Sequence, residues 1–342
     1  MMENNKKFNI LITTGIYPPD IGGPAEYAKN LENVWIKSGH KVSVKTFRTE
    51  RNLPTGFRHI WYFFKILPTV FSADFVLVLD TFSAAAPAIL AAKIAGKKSV
   101  IRVGGDFLWE QYVQRTGEMI PLPEFYKGNF YAKFNFKERL IFKVTKWSLN
   151  NAAFLVWSTD WQKEIMVLPY GFDLKKCSII ENYYGPKFGN TNSSNKKFIW
   201  PVRSIKIKNS LNLLAAIDQA GKECKDIFLD NETVPFPKLI EKIKSGYAVI
   251  LPSLSEVSPN LILQSIQCGK PFIVTKHTGL YEKLKKIGIF VDPLNREDIK
   301  QKIVWLCDDK NYDEQKKKIE SFNFTHTWED IASEFLRLCS AD

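Results

Sequence analysis

Residues 252–275, PSLSEVSPNLILQSIQCGKPFIVT, constrain the fold more than any other stretch of the chain. An apolar run, Tyr247-Ala248-Val249-Ile250-Leu251, stands before them, and a second, Phe272-Ile273-Val274-Thr275, closes them. Between the runs, Ser258 as N-cap and Pro259 at the first helical position predict a helix that Gly269 stops. Leu261, Ile262, Ser265 and Ile266 share one helical face, expected to pack on a sheet, while Glu256, Ser258 and Asn260 keep the helix mouth polar. In an open α/β sheet, ligands bind outside the carboxyl ends of the strands, and helix N-termini there favour anions. The segment therefore reads as the floor of a ligand site; its bland alternative is a βαβ unit whose Glu256 is a solvated loop residue.

The rest of the chain repeats the alternation. Residues 8–14, FNILITT, are fit for a buried parallel strand. The loop IYPPDIGGP follows, and Gly22-Gly23 precede a helix from Pro24 whose stripe is Tyr27, Ala28, Leu31, Val34 and Trp35. That loop lacks the G-x-G-x-x-G spacing of dinucleotide binders. Further strands are predicted at 41–47, 75–79, 99–103, 153–157 and 179–182. Asp106 follows the 99–103 strand, where a carboxylate can meet a ligand or cap the next helix. The run 183–197, YYGPKFGNTNSSNKK, is rich in turn formers and marks a domain boundary. Beyond it come a strand at 198–202, the cations Arg203 and Lys208, and a helix at 210–220. Two cations on a strand-to-helix loop can clamp a diphosphate, Arg as a planar fork and Lys as a point charge. A solvated basic loop is the alternative. One strand-like piece, 227–229, a last strand at 289–293 and helices at 296–307 and 328–338 complete the chain.

The balance of 48 Lys and Arg against 36 Asp and Glu, a formal +12, suits nucleic acid, an anionic membrane surface or phosphate-bearing ligands. Five scattered cysteines argue against a disulfide framework and a zinc site and favour a reducing compartment. The N-terminus has no signal-peptide pattern, and the apolar run 75–95 is interrupted by Asp80 and Pro87, so a cytoplasmic protein is expected, with membrane contact at its surface only. Residues 59–71, HIWYFFKILPTVF, read as a core helix, with a membrane-facing helix as the alternative. Residues 127–149 interleave six cations with aromatic side chains; anionic lipid, single-stranded nucleic acid or a plain solvated face would each accept them.

Four loops carry a resemblance to the family 4 glycosyltransferases of the GT-B fold. They are Tyr17-Pro18-Pro19 with Gly22-Gly23; Arg203 with Lys208; Pro252-Ser253 and Glu256 with Cys268-Gly269-Lys270-Pro271; and His277-Thr278-Gly279-Leu280-Tyr281-Glu282. The sequence departs from the family pattern at Gln264, where a second glutamate is usual, at Val257-Ser258-Pro259, and at Val202 and Asn209, where glycines are usual. No histidine stands near Asp106, and 221–246 is short.

The resemblance implies an α/β GT-B fold, two Rossmann-like domains facing each other across a cleft. Its domains would be an acceptor side at 1–182, a linker at 183–197, a shortened nucleotide-sugar side at 198–326, and a helix at 327–342 returning to the first domain. It further implies retaining, metal-independent transfer of a sugar from a nucleoside-diphosphate sugar to a glycan or lipid-linked acceptor in envelope polysaccharide or glycoconjugate synthesis. No cofactor, metal or nucleic-acid partner is expected, and peripheral contact with an anionic membrane is. Asp106 and Glu256 are the catalytic candidates, and Arg203, Lys208, Gly22 and Gly23 would bind the donor diphosphate. Ser258, Asn260, Leu261, Gln264 and Glu282 would bind donor sugar and nucleotide. At Gln264 an amide can still accept a hydrogen bond but loses the charge assistance of a carboxylate. Two other classes stay open: a non-catalytic sugar-nucleotide-binding protein of the same fold, and a nucleic-acid-binding protein.

Overall fold

The apolar runs of the first half pair, all parallel, into a six-stranded sheet of order β2-β1-β3-β4-β5-β6. The strands are β1 (Asn9–Thr14), β2 (Lys41–Thr46), β3 (Phe75–Val78), β4 (Lys98–Val103), β5 (Phe154–Trp157) and β6 (Cys177–Ile179). The chain was described from a computed structural model, covering residues 6–20, 22–54, 56–128, 130–189 and 195–340. Helices α1 (Gly23–Lys37), α2 (Phe57–Ser72), α3 (Ala85–Ile94), α4 (Phe107–Thr116), α5 (Leu122–Lys127), α6 (Phe136–Asn151) and α7 (Asp160–Tyr170) fill the connections. β1 to β2 runs one way along the sheet, and β2 through β3 and β4 to β5 runs the other. Right-handed crossovers therefore place α1 on one face and α2, α3 and α6 on the opposite one. Helices on both faces explain why β3 is buried at all four of its positions and why no polar alternation marks it in the sequence.

The second half forms a five-stranded parallel sheet of order β11-β10-β9-β7-β8. Its strands are β7 (Lys196–Ile199), β8 (Ile227–Asp230), β9 (Ala248–Leu251), β10 (Phe272–Thr275) and β11 (Ile289–Val291). Its helices are α8 (Ser210–Glu223), α9 (Phe236–Ser245), α10 (Asn260–Gln267), α11 (Tyr281–Leu284), α12 (Arg296–Leu306) and α13 (Asp309–Ser321), and α14 (Trp328–Ser340) ends the chain. The expected mixed α/β fold with two parallel sheets is present.

The chain divides into two compact units, Met1–Leu108 with Lys133–Glu181 and Thr327–Asp342, and Trp109–Ala132 with Asn182–His326. α14 packs on α1 in the first: the Trp35 indole donates to the Ala332 carbonyl at 3.3 Å, and Tyr27 meets Trp328 edge-on at 5.2 Å. Residues 109–132, read from sequence inside 1–182, lie in the second unit. There the Leu122 amide donates to Ser255 Oγ at 2.9 Å and the Lys206 amide to Gln114 Oε1 at 3.0 Å. These bonds join segments more than ninety positions apart, which no local pattern encodes. Residues 190–194 of the linker lie outside the described residues.

Three local expectations shift. The strand read at 179–182 is Cys177–Ile179, and Asn182 leaves the ladder to bond the start of α10. Pro259, extended at ψ 101°, takes the N-cap of α10 in place of Ser258, so the helix begins at Asn260. α13 had no signal, because its sequence DKNYDEQKKKIES buries little beyond Gln315 and Ile319.

Candidate functional site

In the second unit three loops leave the carboxyl ends of neighbouring strands β7, β9 and β10. The β7 loop runs from Trp200 through a short 3-10 turn, Lys206–Lys208, into α8. Asn209 sits at the junction in the left-handed region, φ 61° and ψ 38°, a conformation that Asn adopts more readily than other side-chain-bearing residues. Its buried amide donates to the Pro252 carbonyl at 2.9 Å and the Pro293 carbonyl at 2.6 Å. One residue thus turns the chain and ties the β7 loop to the ends of β9 and β11. This explains how the chain does without the glycine usual there.

The turn sets Lys208 beside Glu256. Lys208 Nζ and Glu256 Oε1 are 2.5 Å apart, with side chains 17% and 12% exposed. Glu256 is held by its backbone as well: its amide donates to the His277 carbonyl and its carbonyl accepts from the Gly279 amide, both at 3.0 Å. A cation from one strand end and a carboxylate from the next are therefore fixed, largely shielded, and at the mouths of two helices. Neither α8 nor α10 has a side-chain hydrogen bond capping its start, whereas α12 and α13 are capped by Asn295 and Asp308. First-turn amides left without such caps are donors for an anion.

The remaining sequence candidates fall as follows. Arg203 is exposed on the β7 loop and reaches Glu110 Oε2 at 3.4 Å. Ser258 and Asn260 bracket the start of α10, where the Asn182 amide donates to the Ser258 carbonyl at 3.2 Å and Asn260 Oδ1 at 2.9 Å. Leu261 is partly buried against the core of this unit, and Gln264 is half-buried one turn further along α10. Glu282 is exposed in the first turn of α11 and pairs with Lys285 at 2.5 Å. In the first unit, Asp106 is buried between β4 and α4. Gly22 supplies the carbonyl that the amides of Ala25 and Glu26 reach at the start of α1, and Gly23 is that helix's exposed first residue. The structure thus brings Lys208, Glu256, Ser258 and Asn260 onto adjoining loops of one sheet.

Several residues around these loops take roles that the sequence did not assign to them. Glu110 and Asn182 act through partners distant in the chain, as Asn209 does toward Pro252 and Pro293. His277 is half-buried in the β10 loop; burial holds its imidazole below the usual range, with Glu124 pulling the other way. Lys270, in the turn after α10, is buried, and burial together with Lys316 lowers its pKa to about 8. A cavity of about 460 Å³, lined by Lys196, Glu223, Cys224 and Cys307, opens at the other end of this sheet, where β7 begins and α8 and α12 finish. Ligands of parallel sheets gather at strand carboxyl ends, so the loop cluster is the candidate site and the cavity is not.

Residues 216–309, which run from the middle of α8 through α12 and include the 252–275 segment, match the family described as Glycosyl transferases group 1. No curated protein sequence matches the chain. Among solved structures, sucrose-phosphate synthase from Thermosynechococcus elongatus is similar at TM-score 0.66 and 12% identity, over 96% of this chain and 98% of that one. HepE from Anabaena, in complex with UDP and glucose, is similar at 0.66 and 13% over 97% of each chain. A glycosyltransferase from Rickettsia africae is similar at 0.65 and 13%, over 97% and 98%. Identities this low establish the fold, and the fold extends over nearly the whole chain. Residues 216–309 thus match Glycosyl transferases group 1, and nearly the whole chain shares its fold with sucrose-phosphate synthase and HepE.

Proposed function

We propose that the protein transfers a sugar, with retention of configuration and without a metal ion, from a nucleoside-diphosphate sugar to a glycan or lipid-linked acceptor of envelope polysaccharide or glycoconjugate synthesis. The observation that carries this is the Lys208–Glu256 pair at adjoining strand ends, beside the starts of α8 and α10. Departure of the nucleoside diphosphate adds a negative charge to a diphosphate that is already anionic. Preorganised cations and amide donors stabilise such charge without needing to reorient as it develops. Lys208 and Arg203 supply the cations, and the first turns of α8 and α10 the amides. Gly22 and Gly23 offer a comparable helix start in the first unit. Glu256 would hold donor-sugar hydroxyls as an acceptor, with Ser258, Asn260 and Leu261 lining the α10 mouth. Gln264 and Glu282 are assigned to the nucleotide, and Asp106 to the acceptor side. Peripheral contact with an anionic membrane in the cytoplasm belongs to the same reading.

HepE, a structure of like fold, is held with UDP, which makes UDP-sugars the first donors to try. A second reading, a sugar-nucleotide binder without turnover, is favoured by Gln264 and by the closed Lys208–Glu256 pair. The test is a thermal-shift panel of UDP-, GDP-, ADP- and dTDP-sugars beside an Arg203→Ala, Lys208→Ala double variant. A ligand at a hundredfold its dissociation constant adds about 2.7 kcal/mol, enough for a visible shift. A shift with one nucleotide class that the double variant lacks supports the donor site. No shift with any class removes the proposal, and a shift without product release leaves the non-catalytic reading.

A further inference from the structure

The α2 helix is apolar on both sides. Tyr62, Ile66 and Val70 are buried toward the sheet. Phe57, Ile60, Trp61, Phe64, Pro68 and Phe71, spaced i, i+3, i+4, i+7, i+11 and i+14, lie on the opposite side and are all exposed, Phe64 to 62%. Arg58, Lys65 and Ser72 form a narrow polar edge between these two sides, and an apolar helix side is ordinarily covered. Its neighbours continue the surface: α2 packs on α3, and α3 on α6. α3 presents Leu90 and Ile94, and α6 presents Phe136, 86% exposed, with Leu140 and Trp147 one and three turns on. Together they form an outer layer of three helices with an apolar, aromatic-rich surface, larger than isolated exposed side chains produce.

The charge on this layer selects its occupant. Lys93 stands on α3, and Lys137, Arg139, Lys143 and Lys146 are all exposed on α6, Lys143 within the apolar stripe and the others beside it. The sole carboxylate in the three helices is Glu138, which is buried and bound in the capping box with Asn135. Aromatic and aliphatic side chains flanked by cations, with no exposed acid, match an anionic lipid surface. A second copy placed face to face would oppose cation to cation. Ile60, Leu90, Ile94 and Leu140 give nucleic-acid bases nothing to stack on. We infer that the outer face of α2, α3 and α6 docks on an anionic bilayer, the apolar stripes entering the headgroup region and the cations meeting lipid phosphate. The assignment deepens the membrane part of the proposed function and rests on it, and it replaces the 127–149 segment by a three-helix face of which α6 is one member.

The experiment is co-sedimentation of the full chain with vesicles of phosphatidylcholine alone and with 30% phosphatidylglycerol, with no donor or acceptor present. Its outcome is therefore independent of turnover and of nucleotide binding. The expected result is at least tenfold tighter binding to the anionic vesicles, weakened by salt. Trp61→Glu with Phe64→Glu should lower it at least tenfold, and Arg139→Glu, Lys143→Glu, Lys146→Glu about a hundredfold, since each basic residue near the surface contributes several-fold. Bromolipid quenching of the wild type covers any variant that does not fold: Trp61→Phe with Trp147→Phe should remove most of the quenching while binding persists. Equal affinity for neutral vesicles, absence of binding, quenching that survives the Phe variant, or a dimer abolished by the Trp61/Phe64 variant would each overturn the assignment.

Discussion

Lys208 and Glu256 are coupled across two strand ends, and the coupling is measurable in a double-mutant cycle of Lys208→Met and Glu256→Gln. Truncating one member of a fully buried ion pair costs about 3–5 kcal/mol, because the other charge is left without a partner, while exposed pairs are worth about 0–1 kcal/mol. At 17% and 12% exposure and 2.5 Å separation this pair lies nearer the buried limit, but water still reaches both groups, so a coupling of about 2 kcal/mol is expected. For a unit with a urea m-value of about 2 kcal/mol/M, each single variant should lower its midpoint by about 1 M, and the double should recover most of that loss. The same variants separate the two roles in donor binding. Lys208→Met removes the cation from the diphosphate and should weaken UDP binding by at least tenfold, as a charge-assisted hydrogen bond worth about 1.5–3 kcal/mol requires. Glu256→Gln releases Lys208 from its partner and should leave UDP affinity equal or a few-fold higher while transfer is lost. A coupling below about 0.5 kcal/mol, the range of exposed pairs, or equal loss of UDP affinity in both variants would rule out these roles for Lys208 and Glu256.

Three further outcomes are expected. Asn209→Gly keeps the left-handed turn but loses the bonds to the Pro252 and Pro293 carbonyls, costing about 1–3 kcal/mol, and Asn209→Ala should cost about 1 kcal/mol more for strained backbone; chemical denaturation of the two side by side would show equal loss if the turn carried no strain. Lys270 has its folded pKa lowered to about 8 from 10.5, so unfolding takes up a proton between those values and its destabilisation, full below about pH 8, fades as pH rises toward 10.5. Lys270→Met should therefore lose about 3 kcal/mol relative to the wild type from pH 7.5 to 10.5, and a pH-independent difference in unfolding free energy would contradict the assignment. Gln264→Glu restores a charged acceptor and should tighten donor binding five- to thirtyfold, about 1–2 kcal/mol, by calorimetry; unchanged affinity would take Gln264 out of the donor site.

The sequence alone determined the strands whose both faces are covered by helices. Such strands are short unbroken apolar runs, so β3, β9 and β10 were legible to within a residue, and parallel pairing followed from the helices between them. It also placed Arg203, Lys208 and Glu256 on loops leaving strand ends, because strand, polar loop and helix alternate in the chain itself. The tertiary structure decided which of those side chains meet. Lys208 reaches Glu256 because β7 and β9 are neighbours in the sheet although 48 positions separate the pair, and strand order is set by the packing of the whole unit. The same holds for Asn209, whose sequence offers a turn former and whose structure uses it to tie two distant carbonyls. It holds for residues 109–132, whose place in the second unit depends on bonds to Ser255 and Lys206. For 59–71 the composition signalled burial, and the fold buried one side only. Periodicity reports that a residue is apolar; which surface covers it is fixed by the elements packed around it.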